Sequence, residues 1–336
     1  MSLWWLPLLC LLASWVLTGL VRRYALARSL FDIPNARSSH TLPTPRGGGV
    51  AIVVTFLVTL PLLAAEGLAS WPLVWALSGA GGAVALLGFL DDHAHVSPRW
   101  RLAGHFLCAT WALFWLGGVP ALNLFGIDVQ LGWFGQALAV IALVWLLNLY
   151  NFMDGIDGIA SIEAITVCLG GALLYHCVGQ PDLIILPALL AASVSGFLLW
   201  NFPPAKIFMG DAGSGFLGIV LGVFSLQAAW VSPPLLWGWI ILLGVFVTDA
   251  TFTLAGRLLR GDRVFEAHRS HAYQHASRRY GSHRQVSLAV GLINLFWLLP
   301  IAMVVALGYL DAVLGLAVAY IPLLLLAKGF RAGAVE

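Results

Sequence analysis

Eleven stretches of almost uninterrupted apolar residues run along this 336-residue chain. A helix needs about 20 predominantly apolar residues to cross the roughly 30 Å hydrocarbon layer of a membrane. Continuous apolar character excludes a membrane β-barrel, whose strands alternate apolar and polar residues. We therefore predict an all-α integral membrane protein, a polytopic bundle of about eleven transmembrane helices. The stretches lie near residues 3–21, 49–66, 71–90, 102–119, 133–150, 159–178, 183–200, 214–231, 235–255, 286–307 and 311–326.

The overall composition agrees with a chain that folds in lipid. Hydrophobic residues make up 60% and charged residues 10%, whereas a soluble domain has about 45–50% and about 25%. The net charge of +2 does not favour nucleic-acid binding. We expect residues 1–336 to form a single membrane domain.

The basic residues predict how the bundle is oriented. If the connection 22–48 is cytoplasmic, all 17 Lys and Arg residues fall on the cytoplasmic side. This asymmetry follows the positive-inside rule, so we place the amino terminus outside and the carboxyl terminus in the cytoplasm. The connections predicted to form the active-site face are 22–48, 91–101, 151–158, 201–213 and 256–285.

Aspartates gather at the predicted cytoplasmic ends of the spans. Asp91 and Asp92 follow the third span, Asp154 and Asp157 follow the fifth, and Asp211 precedes the eighth. Carboxylates near lipid are costly, and these groups suit Mg²⁺ better than zinc. Glycines beside a helix start also suit a bound phosphate. The pattern predicts a metal-assisted phosphate site; the alternative is that the carboxylates only solvate helix ends.

The longest predicted cytoplasmic connection, 256–285, carries the opposite charge, with seven arginines and four histidines. Arginine binds phosphate with two parallel hydrogen bonds. For the outlying arginines the alternative is contact with anionic lipid head groups. That alternative explains the run from His268 to His271 poorly, because neutral imidazoles add little to surface attraction. Zinc binding by these histidines is a weaker alternative, since no cysteine is near.

Five polar segments follow one another along the chain, all on the predicted cytoplasmic face. They are Asp32–His40 with Gly47-Gly48-Gly49, Asp91-Asp92, Asn148–Gly158, Asn201–Ser214, and Asp249 with Arg257. In this order the segments resemble the polyprenyl-phosphate N-acetylhexosamine-1-phosphate transferases, and the resemblance extends over about residues 20–285.

The resemblance implies an enzyme of the bacterial inner membrane whose active site faces the cytoplasm. It would transfer an N-acetylhexosamine 1-phosphate from a UDP-sugar to undecaprenyl phosphate and release UMP. The sugar would be N-acetylglucosamine or a 6-deoxy relative such as N-acetylfucosamine or N-acetylquinovosamine. Whether a carboxylate is a covalent nucleophile or only a base stays open. The oligomeric state also stays open, and a homodimer is one alternative.

The resemblance also implies roles for individual residues. Asp211 and Asp154 would bind Mg²⁺, with Mn²⁺ as an alternative ion. The catalytic residues would be Asp91, Asp92 and Asp154, and either Asp91 or Asp92 would orient or deprotonate the lipid phosphate. Asp157, Asn201 and Phe208 would hold the uracil, with Phe208 stacking on it. The predicted contacts with the diphosphate or sugar are Arg257, His268 and His271.

Three departures from the family pattern point away from its peptidoglycan branch. His95 replaces a third acidic residue, Ser270 replaces a histidine, and Arg46 is the cation nearest to the first-loop glycines. These differences favour the branch that initiates O-antigen or other surface polysaccharides.

Two other classes of membrane protein compete with this interpretation. A Mg²⁺-dependent prenyltransferase has two motifs with aspartates paired four residues apart. It is disfavoured because neither the Asp91 region nor the Asp154 region has that spacing. A secondary transporter places polar groups near the membrane midplane and contains internal repeats. It is disfavoured because the polar groups of this chain are predicted at one membrane face and its sequence shows no repeat.

Overall fold

The computed structural model describes residues 3–34, 39, 42–94, 96–125, 127–262 and 268–334. Within the first-loop resemblance, residues 35–38 and 40 lie outside the described residues. His95 and Arg263, which the sequence analysis also considered, lie outside them as well.

Fifteen α-helices make up most of the described structure. They are α1 (Leu6–Ala27), α2 (Gly49–Ala65), α3 (Trp71–Ala76), α4 (Gly82–Ala94), α5 (Pro98–Leu116), α6 (Gly132–Met153), α7 (Ile159–Cys177), α8 (Ile185–Asn201), α9 (Asp211–Val231), α10 (Pro233–Leu242), α11 (Gly244–Leu259), α12 (Ala272–Tyr280), α13 (His283–Ile293), α14 (Leu299–Ala306) and α15 (Ala312–Gly329). Short π-helical turns at Leu77–Gly81 and Asn294–Leu298 join α3 to α4 and α13 to α14, and a 3₁₀ turn at Pro181–Ile184 leads into α8.

The predicted all-α polytopic fold is confirmed, since each of the eleven apolar stretches coincides with a helix or helix pair. Eight helical segments in the described residues are long and apolar enough to cross a membrane. The pair α10–α11, bent by 68° at its junction, would make a ninth span. Helix α2 is apolar but shorter than these, and α5 is not one of the eight segments. The count of eleven spans and the orientation of the termini stay predictions.

The strands are short and form two antiparallel hairpins at the ends of helices. In the first hairpin β1 (Phe31–Asp32) pairs with β2 (Thr44–Pro45), so that Phe31 lies opposite Pro45. In the second hairpin β3 (Leu122–Leu124) pairs with β4 (Ile127–Val129). The first hairpin matters for the site because β2 leads directly into the glycines that begin α2.

Helix α9 is the centre of the bundle and packs against α2, α4, α6 and α10. Glycines on α9 make this packing close, because a Cβ at Gly213 would lie 2.7 Å from the Cα of Gly49 on α2. A Cβ at Gly218 would lie 2.7 Å from the Cα of Leu147 on α6. Small residues let membrane helices approach one another in this way. As a result, the amino terminus of α9 at Asp211 is surrounded by the ends of its neighbours.

Candidate active site

The connections between the helices meet around one polar cavity of about 230 Å³. It lies where α6 ends and α9 begins, beside the first hairpin and the start of α13. The ionisable and amide side chains that line it are Asp32, Arg46, Asn151, Asp154, Asp157, Asn201, Asp211, Gln274 and His283. The two predicted metal ligands, Asp154 and Asp211, therefore face the same space although 57 positions separate them in the sequence.

Backbone hydrogen bonds join the first connection to the segment before α9. The N–H of Phe208 donates to the carbonyl of Pro45 at 2.8 Å, and the N–H of Gly48 donates to the carbonyl of Phe208 at 2.9 Å. The N–H of Gly49 donates to the carbonyl of Met209 at 2.9 Å. This pairing places Arg46 beside the start of α9 and holds Phe208, which is half-buried, on the cavity wall.

The end of α4 lies against the first turn of α9. A Cβ at Gly88 would lie 2.5 Å from the backbone of Asp211, so this position has no room for a side chain. One turn later, the carboxylate of Asp92 accepts a hydrogen bond of 3.1 Å from the N–H of Asp211. Gly210, which precedes α9 with φ +78°, has no side chain to cap the helix. Asp92 takes over that function, and a negative charge there is stabilised by the helix dipole.

Two arginines pair with these carboxylates. Arg46 forms ion pairs with Asp92 and, at 3.1 Å, with Asp211. Arg101 pairs with Asp91 and lies 3.7 Å from Asp211. Burial by itself would lower the pKa of Arg46, but the carboxylates of Asp92 and Asp211 outweigh that effect and raise it. Asp91, Asp92 and Asp211 thus form one charged cluster with the two cations.

Asp154 differs from these carboxylates because no donor among the described residues hydrogen-bonds to it. Its side chain is half-buried and lies on the cavity wall just after the end of α6. Burial raises the pKa of Asp154 well above its usual range, and repulsion from Asp211 adds to the rise. A half-buried carboxylate without a donor leaves room for a cation at this wall.

Asp157 and Asn201 line the cavity while joining the segments that follow α6 and α8. Asp157 accepts a hydrogen bond from the N–H of Ala205 at 3.0 Å. Asn201 accepts one from the N–H of Gly158 and donates one to the carbonyl of Ile207, both at 3.0 Å. Their predicted contact with uracil stays a prediction.

The other predicted substrate contacts form a separate cluster around Asp249. Its carboxylate accepts hydrogen bonds from the N–H groups of Ala272 and Tyr273 at 2.9 and 3.0 Å, and lies 3.3 Å from Nδ1 of His271. Asp249 therefore caps α12, and His271 is buried against it. The ring of His268 stacks on His271 with centroids 4.9 Å apart.

This second cluster does not line the polar cavity in the described residues. Arg257 is buried and lies 3.7 Å from Asp262, and His268 is half-buried. Burial, together with the charges of His271 and Arg257, lowers the pKa of His268 to about 3. Contact of Arg257, His268 and His271 with a diphosphate or sugar stays a prediction.

Two comparisons with known proteins bear on the family of this chain. The family model "Glycosyl transferase family 4" matches residues 74–229, which contain all the charged segments from Asp91 to Asp211. A phospho-N-acetylmuramoyl-pentapeptide-transferase from Moorella thermoacetica is 31% identical over 236 residues, which cover 64% of this chain and 72% of that protein. The chain belongs to glycosyl transferase family 4.

Two other relatives of this family 4 chain are similar over more of its length. A probable undecaprenyl-phosphate N-acetylglucosaminyl 1-phosphate transferase from Bacillus subtilis is 29% identical over 292 residues, covering 84% of this chain and 80% of that protein. An undecaprenyl-phosphate alpha-N-acetylglucosaminyl 1-phosphate transferase from Thermotoga maritima is 29% identical over 292 residues, covering 86% and 87%. The predicted resemblance is therefore confirmed, which sets aside the prenyltransferase and transporter alternatives.

The sequence analysis of this family 4 chain did not assign three residues to the site that the structure places there, Arg46, Arg101 and His283. Arg46 was noted only as the nearest cation, although its position directly before three glycines was a usable signal. Arg101 stands in a helix start with nothing to distinguish it. His283 lies 3.3 Å from the Asp157 carboxylate, and its other ring nitrogen lies 3.1 Å from the carbonyl of Ser39. This contact joins α13 to the first connection, which no local pattern could show.

Proposed function

We propose that this protein is a Mg²⁺-dependent enzyme that transfers a sugar 1-phosphate from a UDP-sugar to a polyprenyl phosphate and releases UMP. One observation carries the proposal. Asp154, which has no donor among the described residues, faces the same cavity as Asp211, whose carboxylate is bridged to Asp92 by Arg46. The names of the family 4 relatives, which describe phosphotransferases acting on polyprenyl phosphates, support it.

The proposed reaction joins two phosphorylated substrates. An oxygen of the acceptor phosphate forms a bond to the sugar-bearing phosphorus of the UDP-sugar. The bond from that phosphorus to the oxygen bridging the two phosphates breaks, and UMP leaves with the bridging oxygen. Negative charge is concentrated on three neighbouring phosphates throughout. Arg46 and Arg101, held in place by their carboxylates, are positioned to offset that charge.

The side chains at the cavity fit Mg²⁺. This ion is usually bound by one or two carboxylates, while phosphate and water oxygens complete its shell. Asp154 and Asp211 would supply the two carboxylates, and when bound the ion would neutralise and polarise the diphosphate. The described residues contain no cluster of three or more His, Cys, Asp or Glu side chains arranged for a metal. A structural zinc site would need such a cluster.

Of the paired aspartates, we assign the acceptor phosphate to Asp92. It borders a second cavity of about 280 Å³ between the ends of α1 and α4, whose walls include Val21, Leu30 and Phe89. Arg46 lines this cavity as well as the polar one. Asp91 is instead bound by Arg101 and by the N–H of Val96. In a phosphorylated lipid that binds here, the phosphate would lie beside Arg46 and Asp92, and the start of the hydrocarbon chain would contact the apolar wall.

The proposal has finer parts with less direct support. The transferred sugar would be an N-acetylhexosamine, which agrees with the names of the relatives. The enzyme would lie in the bacterial inner membrane with this cavity on the cytoplasmic side, which agrees with the distribution of the basic residues. Its product would start O-antigen or another surface polysaccharide, as the departures from the peptidoglycan pattern suggest.

The central experiment measures UMP release by the purified protein in detergent. A panel of UDP-sugars is offered with and without undecaprenyl phosphate, and with Mg²⁺, Mn²⁺ or EDTA. We expect UMP only when the lipid and a divalent ion are both present, together with a lipid-linked diphosphate sugar. UMP release without the lipid would contradict the proposed acceptor, and full activity in EDTA would contradict the metal.

A further inference from the structure

A third cavity, of about 400 Å³, lies on the other side of α12 from the polar site. Four helices, α11, α12, α13 and α15, turn one face each towards it, with side chains three, four or seven positions apart. Helix α12 contributes Tyr273, Ala276 and Tyr280. Helix α15 contributes Leu323 and Ala327, and Phe330 follows directly after its end. The volume falls in the range of about 300–1,000 Å³ that is usual for sites that hold small organic ligands.

The walls of this cavity suit a hydrocarbon chain. They are overwhelmingly apolar, and the Asp249 carboxylate among them is already bound by its own donors. The Thr248 hydroxyl, also at the wall, is buried and has no hydrogen-bond partner among the described residues. The outer faces of α13 and α15 expose leucines such as Leu292 (55%) and Leu326 (44%). Because such faces contact lipid in a membrane protein, a lipid chain can reach the cavity from the bilayer.

The surface next to this cavity is positively charged. Arg279, Lys328 and Arg331 are all exposed, and each is adjacent in sequence to a residue of the cavity wall. No carboxylate among the described residues pairs with any of the three. Arginine and lysine near the membrane surface attract anionic lipid heads, and arginine binds phosphate with two parallel hydrogen bonds.

We propose that an anionic phospholipid of the surrounding membrane binds here. One acyl chain occupies the cavity between α11, α12, α13 and α15, and the lipid phosphate contacts Arg279, Lys328 and Arg331. Charge complementarity separates this occupant from a neutral lipid, and the position at a helix end places its phosphate at the level of the bilayer surface.

The bound lipid would stabilise the elements that carry the polar site. Tyr273 packs on the cavity, and its hydroxyl donates a hydrogen bond of 3.0 Å to the carbonyl of Phe152, two residues before Asp154. Beyond Phe330, the N–H of Gly333 donates at 2.7 Å to the carbonyl of Ser270, between His268 and His271. A filled cavity therefore holds α12 and its preceding segment in position. This regulatory effect rests on the proposed transferase function, whereas the binding does not.

The test compares lipid retention by the full-length protein in nanodiscs of phosphatidylcholine with 20% phosphatidylglycerol, read by native mass spectrometry. Ala289 is an exposed residue of the cavity wall on α13, and Ala289→Trp fills the space. Leu288→Trp, at an exposed neighbour outside the wall, is the matched control. We expect the wild type and the control to retain one phosphatidylglycerol in preference to phosphatidylcholine, and Ala289→Trp to retain at least fivefold less.

A second set of variants tests the charges without touching the core. Replacing Arg279, Lys328 and Arg331 together with glutamine should abolish the preference for phosphatidylglycerol. Arg23→Gln, which removes an exposed cation from α1, should leave it unchanged. Equal retention of both lipids by the wild type, or an unchanged preference in the triple variant, would overturn the proposal. Displacement of phosphatidylglycerol by added undecaprenyl phosphate would also overturn it, by assigning the cavity to the acceptor.

Activity measurements separate this proposal from the proposed function. We expect UMP release by the wild type to rise at least threefold when phosphatidylglycerol is added to phosphatidylcholine nanodiscs, and to stay low in Ala289→Trp. UMP release that is equally fast in both lipids would reject the regulatory effect while leaving the transferase function intact. No UMP release in either lipid would reject the transferase function, while lipid retention would still report on the binding site.

Discussion

Two carboxylate clusters at the same end of the bundle are built in opposite ways. Asp249 is buried, and its oxygens accept hydrogen bonds from two backbone N–H groups, from the Thr253 hydroxyl at 3.1 Å and from His271. Asp154 and Asp211 face a cavity, and Asp154 has no donor among the described residues. Both clusters look alike in the sequence, as aspartates among small and apolar residues.

The hydrogen bonds of each carboxylate indicate which one is available to a ligand. A buried carboxylate whose oxygens are all hydrogen-bonded is stable as it stands and holds the backbone together. A half-buried carboxylate beside another of like charge is stabilised by a cation or a proton. The Asp154–Asp211 cluster is therefore suited to bind a metal and phosphates, and the Asp249 cluster is suited to position α12.

The largest expected effect comes from removing a proposed metal ligand. Asp211→Asn or Asp154→Asn should lower UMP release by at least about 100-fold, the scale seen when one group that stabilises developing charge is lost. Thermal unfolding in detergent should change little, because neither position lies in the apolar core. Asp182→Asn, at an exposed carboxylate between α7 and α8, is the matched control. Near-normal activity in both variants would remove the metal assignment.

A smaller effect should distinguish the paired aspartates. We expect Asp92→Asn to lower UMP release about tenfold more than Asp91→Asn, because Asp92 caps α9 beside Arg46 and borders the apolar cavity. Initial rates over a range of polyprenyl phosphate concentrations provide the measurement. The opposite order would assign the acceptor phosphate to Asp91 and its partner Arg101, and full activity in both variants would exclude either aspartate as a base.

The Asp249 cluster should respond mainly in stability. Asp249→Asn removes the charge that caps α12 and weakens the bonds to Ala272 and Tyr273, which should cost about 1–3 kcal/mol. The expected result is a lower thermal unfolding midpoint, with activity lost only in proportion to the unfolded fraction. If turnover falls while the midpoint is unchanged, Asp249 acts in the reaction and the contrast between the clusters fails.

The smallest effect concerns His268 and pH. Its pKa of about 3 in the folded protein lies below the ordinary value of about 6.5. Between these values the unfolded chain binds a proton that the folded chain does not, so the folded state loses stability as the pH falls from about 6.5 towards 3. His268→Gln should reduce the drop in unfolding midpoint between pH 7.5 and pH 5. An unchanged drop would show that His268 titrates normally.

Much of the fold was predictable because apolar length is a local property. Each of the eleven stretches forms a helix or a helix pair, although α9 begins at Asp211, three residues before the stretch predicted near 214–231. The acidic positions of the site were also predictable, because Asp154 and Asp211 stand out as charges at the ends of apolar runs. Arg101 and His283 were not, because their importance comes only from the carboxylates that they contact.

Hydropathy and charge are properties of single residues, so the amino-acid sequence was enough to predict a helical membrane bundle with acidic groups at helix ends. Which aspartate meets which partner depends on the packing of the helices. This packing brought Arg46 between Asp92 and Asp211, left Asp154 facing the cavity, and surrounded Asp249 with donors. Contacts between distant residues depend on how closely helices pack, and the glycines of α9 set that distance only once its neighbours are in place.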